Sequence, residues 1–236
     1  MMEFSKLSAP SLKELFINEV ESKILSGALA IGQQLPPERD LALSMQVSRA
    51  VVNGGIAELA RKGFLTVKPR IGVFVADYRR NGTVETLLSI MNYNRGQLRR
   101  EEVRSILEIK MVLDRLAVEL AIPRLTGEEE NTLRELLESL KKSETVSQAA
   151  NAAFAFYHEV ALISGNTLLP LIYYSFRAPV LSLWERYGRK YGLETVYGSA
   201  SKLYDAIIMK DVALAVHCVE NTVGNAIRGA KEIYEG

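Results

Sequence analysis

Residues 35–65, LPPERDLALSMQVSRAVVNGGIAELARKGFL, contain the pattern that identifies the architecture of the first part of the chain. Its apolar spacing and turn residues predict a short helix over Glu38–Met45 and a second helix over Arg49–Lys62 that ends at Gly63. Ser48 lies in the turn between them, where its hydroxyl can cap the second helix by accepting from a free backbone N–H. Two helices joined by so short a turn are typical of a helix-turn-helix.

Elements on both sides of this stretch extend the pattern. Before it, apolar residues at helical spacing from Leu12 to Ile24 predict a helix that Gly27 ends. After it, residues 64–68 and 73–77 indicate two short strands joined by a tight basic loop. The order helix, short helix, turn, helix and β-hairpin predicts a winged helix-turn-helix over residues 1–77. The second helix of the pair is the one that would enter the DNA major groove.

The rest of the chain carries no strand signal. Residues 78–98 are predicted to be a linker and a connecting helix, because Tyr78–Gly82 is polar, basic and turn-prone. Over residues 99–236 apolar residues recur at helical spacing between breaks at Gly, Asn and Pro. The chain is therefore predicted to be mostly α, with a C-terminal all-α helical bundle of about six or seven helices. The predicted helices are Glu101–Leu120, Gly127–Lys142, Ser147–Ile163, Leu168–Tyr187, Leu193–Met209 and Asp211–Tyr234.

Composition narrows the class of protein. The 236 residues are 48% hydrophobic and 24% charged, which is typical of a globular chain. Lys and Arg outnumber Asp and Glu only in the first third of the chain, which permits phosphate binding there. The single cysteine, Cys218, excludes an intrachain disulfide and a thiolate zinc site, and its helical setting predicts a buried packing residue. Without a targeting signal or membrane span, the sequence predicts a cytoplasmic protein.

Four landmarks occur in the order and spacing of one known family. They are Leu35–Ala42, Val47–Arg49, Leu59–Leu65 and Gly72–Val75. Together they resemble the DNA-binding domain of the GntR superfamily, whose pattern runs L-P-S-E-R-E-L-A, V-S-R and R-L-x-x-x-G-L, with a basic wing that ends G-x-x-V. The resemblance implies a transcription regulator that binds a double-stranded DNA operator as a homodimer.

The second half resembles the FadR-type subfamily, which has an all-helical effector domain. The segments that carry this resemblance are Glu102–Glu108, Phe156-Tyr157, Ser164–Asn166, Ala206-Ile207 and Lys210-Asp211. The resemblance implies that residues 99–236 bind a small-molecule effector and form the dimer.

The resemblance also implies which residues read DNA. Arg39 and Arg49 match family arginines that contact DNA. Asn53 stands where the family carries a further recognition arginine, and an Asn suits adenine better than guanine. We therefore expect an operator different from the family's usual one, or looser discrimination. The adjacent Gly54 and Gly55 should weaken the recognition helix by about 1 kcal/mol each. The full set of predicted DNA contacts is Arg39, Ser48, Arg49, Asn53, Lys68, Arg70 and Gly72.

Many members of the FadR-type subfamily, which this half of the chain resembles, hold a metal in the effector domain through one Asp and three His. The matching positions here are Ala153, Tyr157, Ala200 and Thr222, which are not a divalent-metal ligand set. The two histidines, His158 and His217, are offset from those positions. The sequence therefore predicts no metal and no cofactor, and an organic effector alone.

The effector is predicted to be an organic anion, either fatty acyl-CoA-like or a small carboxylate. An anion needs a cation inside a helical pocket, and Arg104 and Arg186 are the candidates because both lie among apolar residues. For Arg104 an ion pair with Glu101 or Glu108 on the same helix is the alternative. The predicted effector-binding set is Arg104, Tyr157, Asn166, Arg186, Tyr191 and Gly224, the last by resemblance to the FadR type.

The same residues bear on other classes of protein. The sequence has no Gly-rich phosphate loop, no H-E-x-x-H and no G-x-S-x-G, so an enzyme is not expected. A winged-helix module that binds proteins stays open because of the Asn53–Gly55 segment, although a basic wing favours DNA. A metal-dependent sensor of small carboxylates is the alternative within the regulator class.

Overall fold

The structure, a computed structural model, describes residues 10–92 and 100–233. The chain divides into two compact units, one on each side of the gap between these two ranges. The predicted domain boundaries at residues 77 and 98 stay predictions, and the second of them lies outside the described residues.

The first unit is a winged helix-turn-helix, as predicted. Its helices are α1 (Leu12–Leu25), α2 (Glu38–Ser44) and α3 (Arg49–Arg61), followed by the hairpin of β1 (Leu65–Lys68) and β2 (Gly72–Val75). The strands are antiparallel, with Leu65 opposite Val75 and Lys68 opposite Gly72. The second strand is shorter than predicted, because it ends at Val75 rather than Asp77.

Side chains from all three helices and the hairpin form the core of this unit. Phe16 of α1, Val52 and Leu59 of α3, and Phe64 before β1 are almost completely buried. A capping box at Ser11 and Glu14 begins α1, in which each side chain accepts from the backbone N–H of the other. The apolar stripe of α3 therefore packs inward and leaves its opposite face in solvent.

The segment that the sequence indicated as a linker continues the first unit. Tyr78–Asn81 forms a helical turn, α4, and Val84–Asn92 forms α5. The Tyr78 ring lies 5.6 Å from that of Phe64, and the buried Thr86 hydroxyl donates to the carbonyl of Lys62. Residues 78–92 thus pack on the winged helix-turn-helix.

The second unit is all-helical. Its helices are α6 (Arg100–Ala121), α7 (Gly127–Lys141), α8 (Val146–Ile163), α9 (Leu169–Ser175), α10 (Arg177–Tyr191), α11 (Leu193–Ile208) and α12 (Val212–Arg228), with a 3₁₀ turn at Ile122–Arg124. Helix α8 is central, since it packs against α6, α7, α9, α10 and α11, while α12 packs along α6 and α11. The described part of this unit holds seven α-helices, which agrees with the number expected.

Two predicted helices and one predicted burial were wrong in detail. The single helix predicted over residues 168–187 is two helices, because the backbone bends at Phe176, and the second continues to Tyr191. The last helix ends at Arg228, since Gly229 adopts extended backbone instead of continuing toward residue 234. Cys218 is half-buried rather than buried, and its thiol contacts the Lys202 carbonyl at 3.7 Å.

Within the residues described, no helix is both long enough and apolar enough to cross a lipid bilayer.

Candidate DNA interface and effector cavity

The start of α3 combines a capped helix N-terminus with an exposed cation. Ser48 caps the helix, and its hydroxyl oxygen accepts from the Val51 backbone N–H at 3.3 Å. Arg49 follows as the first helical residue, and Arg39 lies in the first turn of α2; both side chains are exposed. A helix N-terminus with an exposed arginine beside it is an arrangement that can bind phosphate oxygens.

The wing places its basic residues at a tight turn. Arg70 adopts a positive φ of 64°, and Gly72 a φ of 143°. A side chain on Gly72 would collide with the amide of Gln34, which donates to the Ile71 carbonyl at 3.0 Å. The Lys68 ammonium lies 4.8 Å above the Phe74 ring, which directs it along the wing. The positive φ therefore favours glycine at position 72, whereas the flexible Gln34 side chain could move away from a larger residue.

Asn53 is exposed on α3 one turn after Arg49 and contacts α2. In the amide orientation that satisfies its neighbours, its nitrogen donates to Glu38 Oε2 at 2.6 Å and to the Arg49 carbonyl at 3.3 Å. The two helices of the helix-turn-helix are therefore joined by a charge-assisted hydrogen bond on the face that carries Arg49.

Of the predicted DNA contacts, Arg39, Ser48, Arg49, Asn53, Lys68 and Arg70 are exposed and Gly72 is half-buried, all within the first unit. Their roles in binding DNA stay predictions.

A partly enclosed cavity lies among α6, α8, α10 and α12 of the second unit. Its volume is about 30 Å³, enough for one or two water molecules. The lining is mostly apolar and aromatic, with a few polar groups, as expected for a small-molecule site. The lining residues are Leu107, Lys110, Asp114, Tyr157, Val180, Leu183, Trp184, Tyr187, Val219, Thr222, Val223, Ala226 and Ile233.

An ion pair stands in the wall of this cavity. Lys110 and Asp114, one turn apart on α6, are only 6% and 3% exposed, and the ammonium donates to Asp114 Oδ2. The ammonium also lies 4.3 Å from the centre of the Tyr157 ring, and 5.7 Å from those of Tyr173 and Trp184. Ring faces carry negative charge density, so this arrangement stabilises a cation away from water. Lys110 and Asp114 are the charged residues of the cavity lining, and both are almost completely buried.

Burial changes the acid–base properties of this cluster. Desolvation raises the pKa of Asp114, although the neighbouring Lys110 ammonium opposes the shift. Desolvation, together with the Asp114 charge, raises the pKa values of Tyr157 and Tyr173 well above the ordinary tyrosine value. Asp114 Oδ1 and Trp184 Nε1 are buried and make no hydrogen bond within the described residues. The Tyr173 hydroxyl is also buried and lies close enough to Asp114 to lower the pKa of that carboxyl, so it can donate to it. Trp184 Nε1 is then the donor for which a ligand or water is needed.

The predicted effector residues are not brought together. Tyr157 lines the cavity, but the other five do not belong to its lining. Arg104 is exposed, and its Nε lies 2.8 Å from Glu108 Oε1, so it forms the ion pair within α6 that the sequence also allowed. Arg186 is half-buried on α10.

The other three predicted effector residues lie outside the cavity lining, each in a different place. Asn166 accepts from the backbone N–H groups of Leu168 and Leu169, and so begins α9. The Tyr191 hydroxyl donates to the Glu232 carbonyl at 2.6 Å. Gly224 lies on α12 with open space where a Cβ would be.

Sequence reasoning missed Lys110, Asp114 and Trp184. The available signal was a Lys and an Asp four residues apart on the apolar stripe of α6, flanked by Leu107 and Ala117, where a surface pair would not be expected.

The positions that match the family's metal ligands hold no ligand set. Ala153 and Ala200 are completely buried, and Tyr157 and Thr222 line the cavity. His158 is engaged elsewhere, since its Nε2 lies 3.2 Å from the Pro170 carbonyl. Across residues 10–92 and 100–233, no three His, Cys, Asp or Glu side chains are grouped so that they could hold a metal ion.

A winged helix-turn-helix with exposed cations is followed by a helical unit whose cavity wall contains an ion pair. This combination is that of a DNA-binding regulator with a separate sensing domain. Two family models match this chain, one within each of its two units. Residues 14–75 match the model of bacterial regulatory proteins of the gntR family, and residues 105–225, about half of the chain, match the FCD domain. The chain belongs to the GntR family of transcription regulators, in the group with an FCD effector-binding domain.

Individual relatives support this membership. The chain is 28% identical over 177 residues to the HTH-type transcriptional regulator Mce2R of Mycobacterium tuberculosis, covering 75% of this chain and 73% of the relative. It is 22% identical over 191 residues to the HTH-type transcriptional regulator LutR of Bacillus subtilis, covering 78% and 85%. The solved structure of Lar, described as controlling the Listeria monocytogenes agr system, has the same fold. It covers 95% of this chain and 98% of its own, with a TM-score of 0.63 and 14% identity.

Proposed function

We propose that this regulator senses an organic anion without a metal, and that the anion binds in the cavity beside Lys110. The observation that carries the proposal is a buried ammonium in the wall of an aromatic-lined cavity. A lysine ammonium has three donors, and Asp114 Oδ2 accepts from one of them. A ligand carboxylate can accept from the remaining donors.

The other polar atoms of the cavity support the same class of ligand. Trp184 Nε1 is a buried donor that needs an acceptor, which a second carboxylate oxygen would supply. Asp114 Oδ1 can accept from a ligand hydroxyl or from a water molecule. The cavity must widen even for a small carboxylate, and a fatty acyl chain would require a much larger separation of the helices, so the small volume favours the small carboxylate. No comparable observation supports a metal-dependent mechanism, because the described residues contain no group of three His, Cys, Asp or Glu side chains that could hold a metal ion.

On the DNA side, we propose that the protein acts in the cytoplasm as a homodimer on a double-stranded operator, through the seven residues predicted above. Exposed apolar side chains along one face of α6, at Ile109, Val112 and Leu116, support contact with a second copy. The effector would favour one arrangement of the two DNA-binding heads, and so change operator affinity by a population shift.

Native mass spectrometry of the purified protein tests the effector proposal. The expected spectrum is a dimer that contains no metal and that gains the mass of one small carboxylate per subunit when a panel of carboxylates is added. The matched control is the double variant K110M/D114N, which removes both charges and should gain no such mass. A stoichiometric divalent metal in the wild-type protein, or equal ligand uptake by the double variant, would overturn the proposal.

A further inference from the structure

The hydrogen bond between Glu38 and Asn53 limits what Asn53 can offer to DNA. Glu38 Oε2 lies 2.6 Å from the Asn53 amide, and the Arg49 carbonyl lies 3.3 Å from it. Both neighbours are acceptors only, so the amide nitrogen must face them and both of its N–H groups are used. The amide oxygen, with its two lone pairs, is left to meet a partner outside the protein.

This arrangement differs from that of a free asparagine. A free Asn reads adenine with two hydrogen bonds, in which its oxygen accepts from N6 and its nitrogen donates to N7. An Asn whose nitrogen is held by Glu38 presents an acceptor alone. In the major groove the donors are the amino groups of adenine (N6) and cytosine (N4), whereas guanine and thymine present acceptors at the corresponding position.

The charge of Glu38 acts in the same direction. Its carboxylate is half-buried in the first turn of α2, adjacent to the exposed Asn53. A carboxylate accepts from cytosine N4 and repels the acceptor edges of guanine and thymine. Glu38 and Asn53 thus form one acceptor patch on the face that also carries Arg49, a donor suited to guanine.

We propose that Glu38 positions Asn53 as a hydrogen-bond acceptor, so that the operator base facing Asn53 is an amino-bearing base, adenine or cytosine. Glu38 is then a positioning residue for base readout, and Asn53 is the residue that touches the base. The inference rests on the proposed DNA contacts of α3.

Selection of binding sites from random double-stranded DNA, followed by sequencing, tests the inference. The wild-type chain should select a motif with one position where adenine and cytosine exceed guanine and thymine about fivefold, as expected for a single net hydrogen bond. Asn53→Ala should lose the preference at that position and keep the rest of the motif. Glu38→Ala should narrow it to adenine, because the freed amide can make both hydrogen bonds.

Glu38→Gln is an intermediate variant. Its side-chain carbonyl can still accept from Asn53, so the preference for adenine and cytosine should remain, but it should be smaller than in the wild type because the charge that repels guanine and thymine is gone. Circular dichroism of each variant checks that the helices form. A motif that Asn53→Ala leaves unchanged at every position, or guanine or thymine at the position that depends on Asn53, would overturn the inference alone. A wild-type chain that selects no motif would overturn the proposed DNA readout as well.

Discussion

The aromatic ring of Phe16 occupies the space that a side chain at position 55 would need. A Cβ atom built on Gly55 would lie within 2.6 Å of Phe16 Cε1, and Phe16 itself is 1% exposed. Helix α1 therefore packs directly on the backbone of the recognition helix. The glycine that weakens α3 in isolation permits this contact in the folded unit, and the buried ring offsets the cost in helix propensity.

Gly55→Ala should destabilise the first unit, although alanine is the better helix former. Phe16 has no room to move in a packed core, and overpacking of this kind costs about 1–3 kcal/mol. Gly54→Ala is the matched control, because its Cβ would lie 3.7 Å from Lys13 Cδ, an ordinary contact. It should stabilise the unit by about 1 kcal/mol. Urea unfolding of the full chain, followed by far-UV circular dichroism, measures both; equal effects of the same sign would contradict the packing argument.

Lys68→Ala should weaken DNA binding to all sequences alike. A wing lysine that neutralises one phosphate releases about one counterion, so the slope of log affinity against log salt should fall by about 1. Fluorescence anisotropy of a labelled duplex over a range of salt concentrations measures this slope. Lys142→Ala, an exposed change in the second unit, is the control and should leave the slope unchanged. If Lys68→Ala keeps the wild-type slope, Lys68 does not contact a DNA phosphate.

Lys110→Met should be more harmful to stability than the double variant K110M/D114N. The single change leaves the Asp114 carboxylate buried without its cation, which costs about 3–5 kcal/mol, whereas removal of both charges leaves a polar amide in place of an ion. Thermal unfolding at neutral pH compares the two variants. A double variant that is less stable than Lys110→Met would contradict this expectation, because a buried, unpaired Asp114 would then cost less than the loss of both charges.

Alkaline titration should leave Tyr157 and Tyr173 protonated while the second unit remains folded. Their pKa values are raised, so the unfolded state loses these protons first as the pH rises past the ordinary tyrosine value of about 10. Stability should therefore fall above that pH. Absorbance at tyrosinate wavelengths should show the same reversible amplitude in wild type, Tyr157→Phe and Tyr173→Phe. A lower amplitude in either variant would mean that the hydroxyl ionises in the folded protein.

Much of the fold follows from local sequence patterns. The helix-turn-helix was predictable because the spacing of Leu41, Val52 and Leu59 and the cap at Ser48 act over a few residues. The bend at Phe176 was not predictable, because the apolar pattern continues through it without a break. The two helices take different directions only because each packs separately on α8.

The effector site was far less predictable. Arg104 and Lys110 are both cations on α6 among apolar neighbours, yet one faces solvent and the other the cavity. The difference lies in which helices cover each turn of α6, and the rings that surround Lys110 come from α8, α9 and α10. Sequence spacing within one helix cannot show which of its faces the distant helices cover.

Trp184 is the only tryptophan of the chain and lies in the cavity wall, so its fluorescence reports on the proposed site directly. The decisive measurement is a titration with a panel of small carboxylates in the presence of a chelator, which follows Trp184 emission and operator anisotropy in the same sample. We expect at least one carboxylate to change both signals with one midpoint, and neither signal to change in K110M/D114N. A response that requires an added divalent metal, or that persists in the double variant, would contradict a metal-free anion sensor built on Lys110.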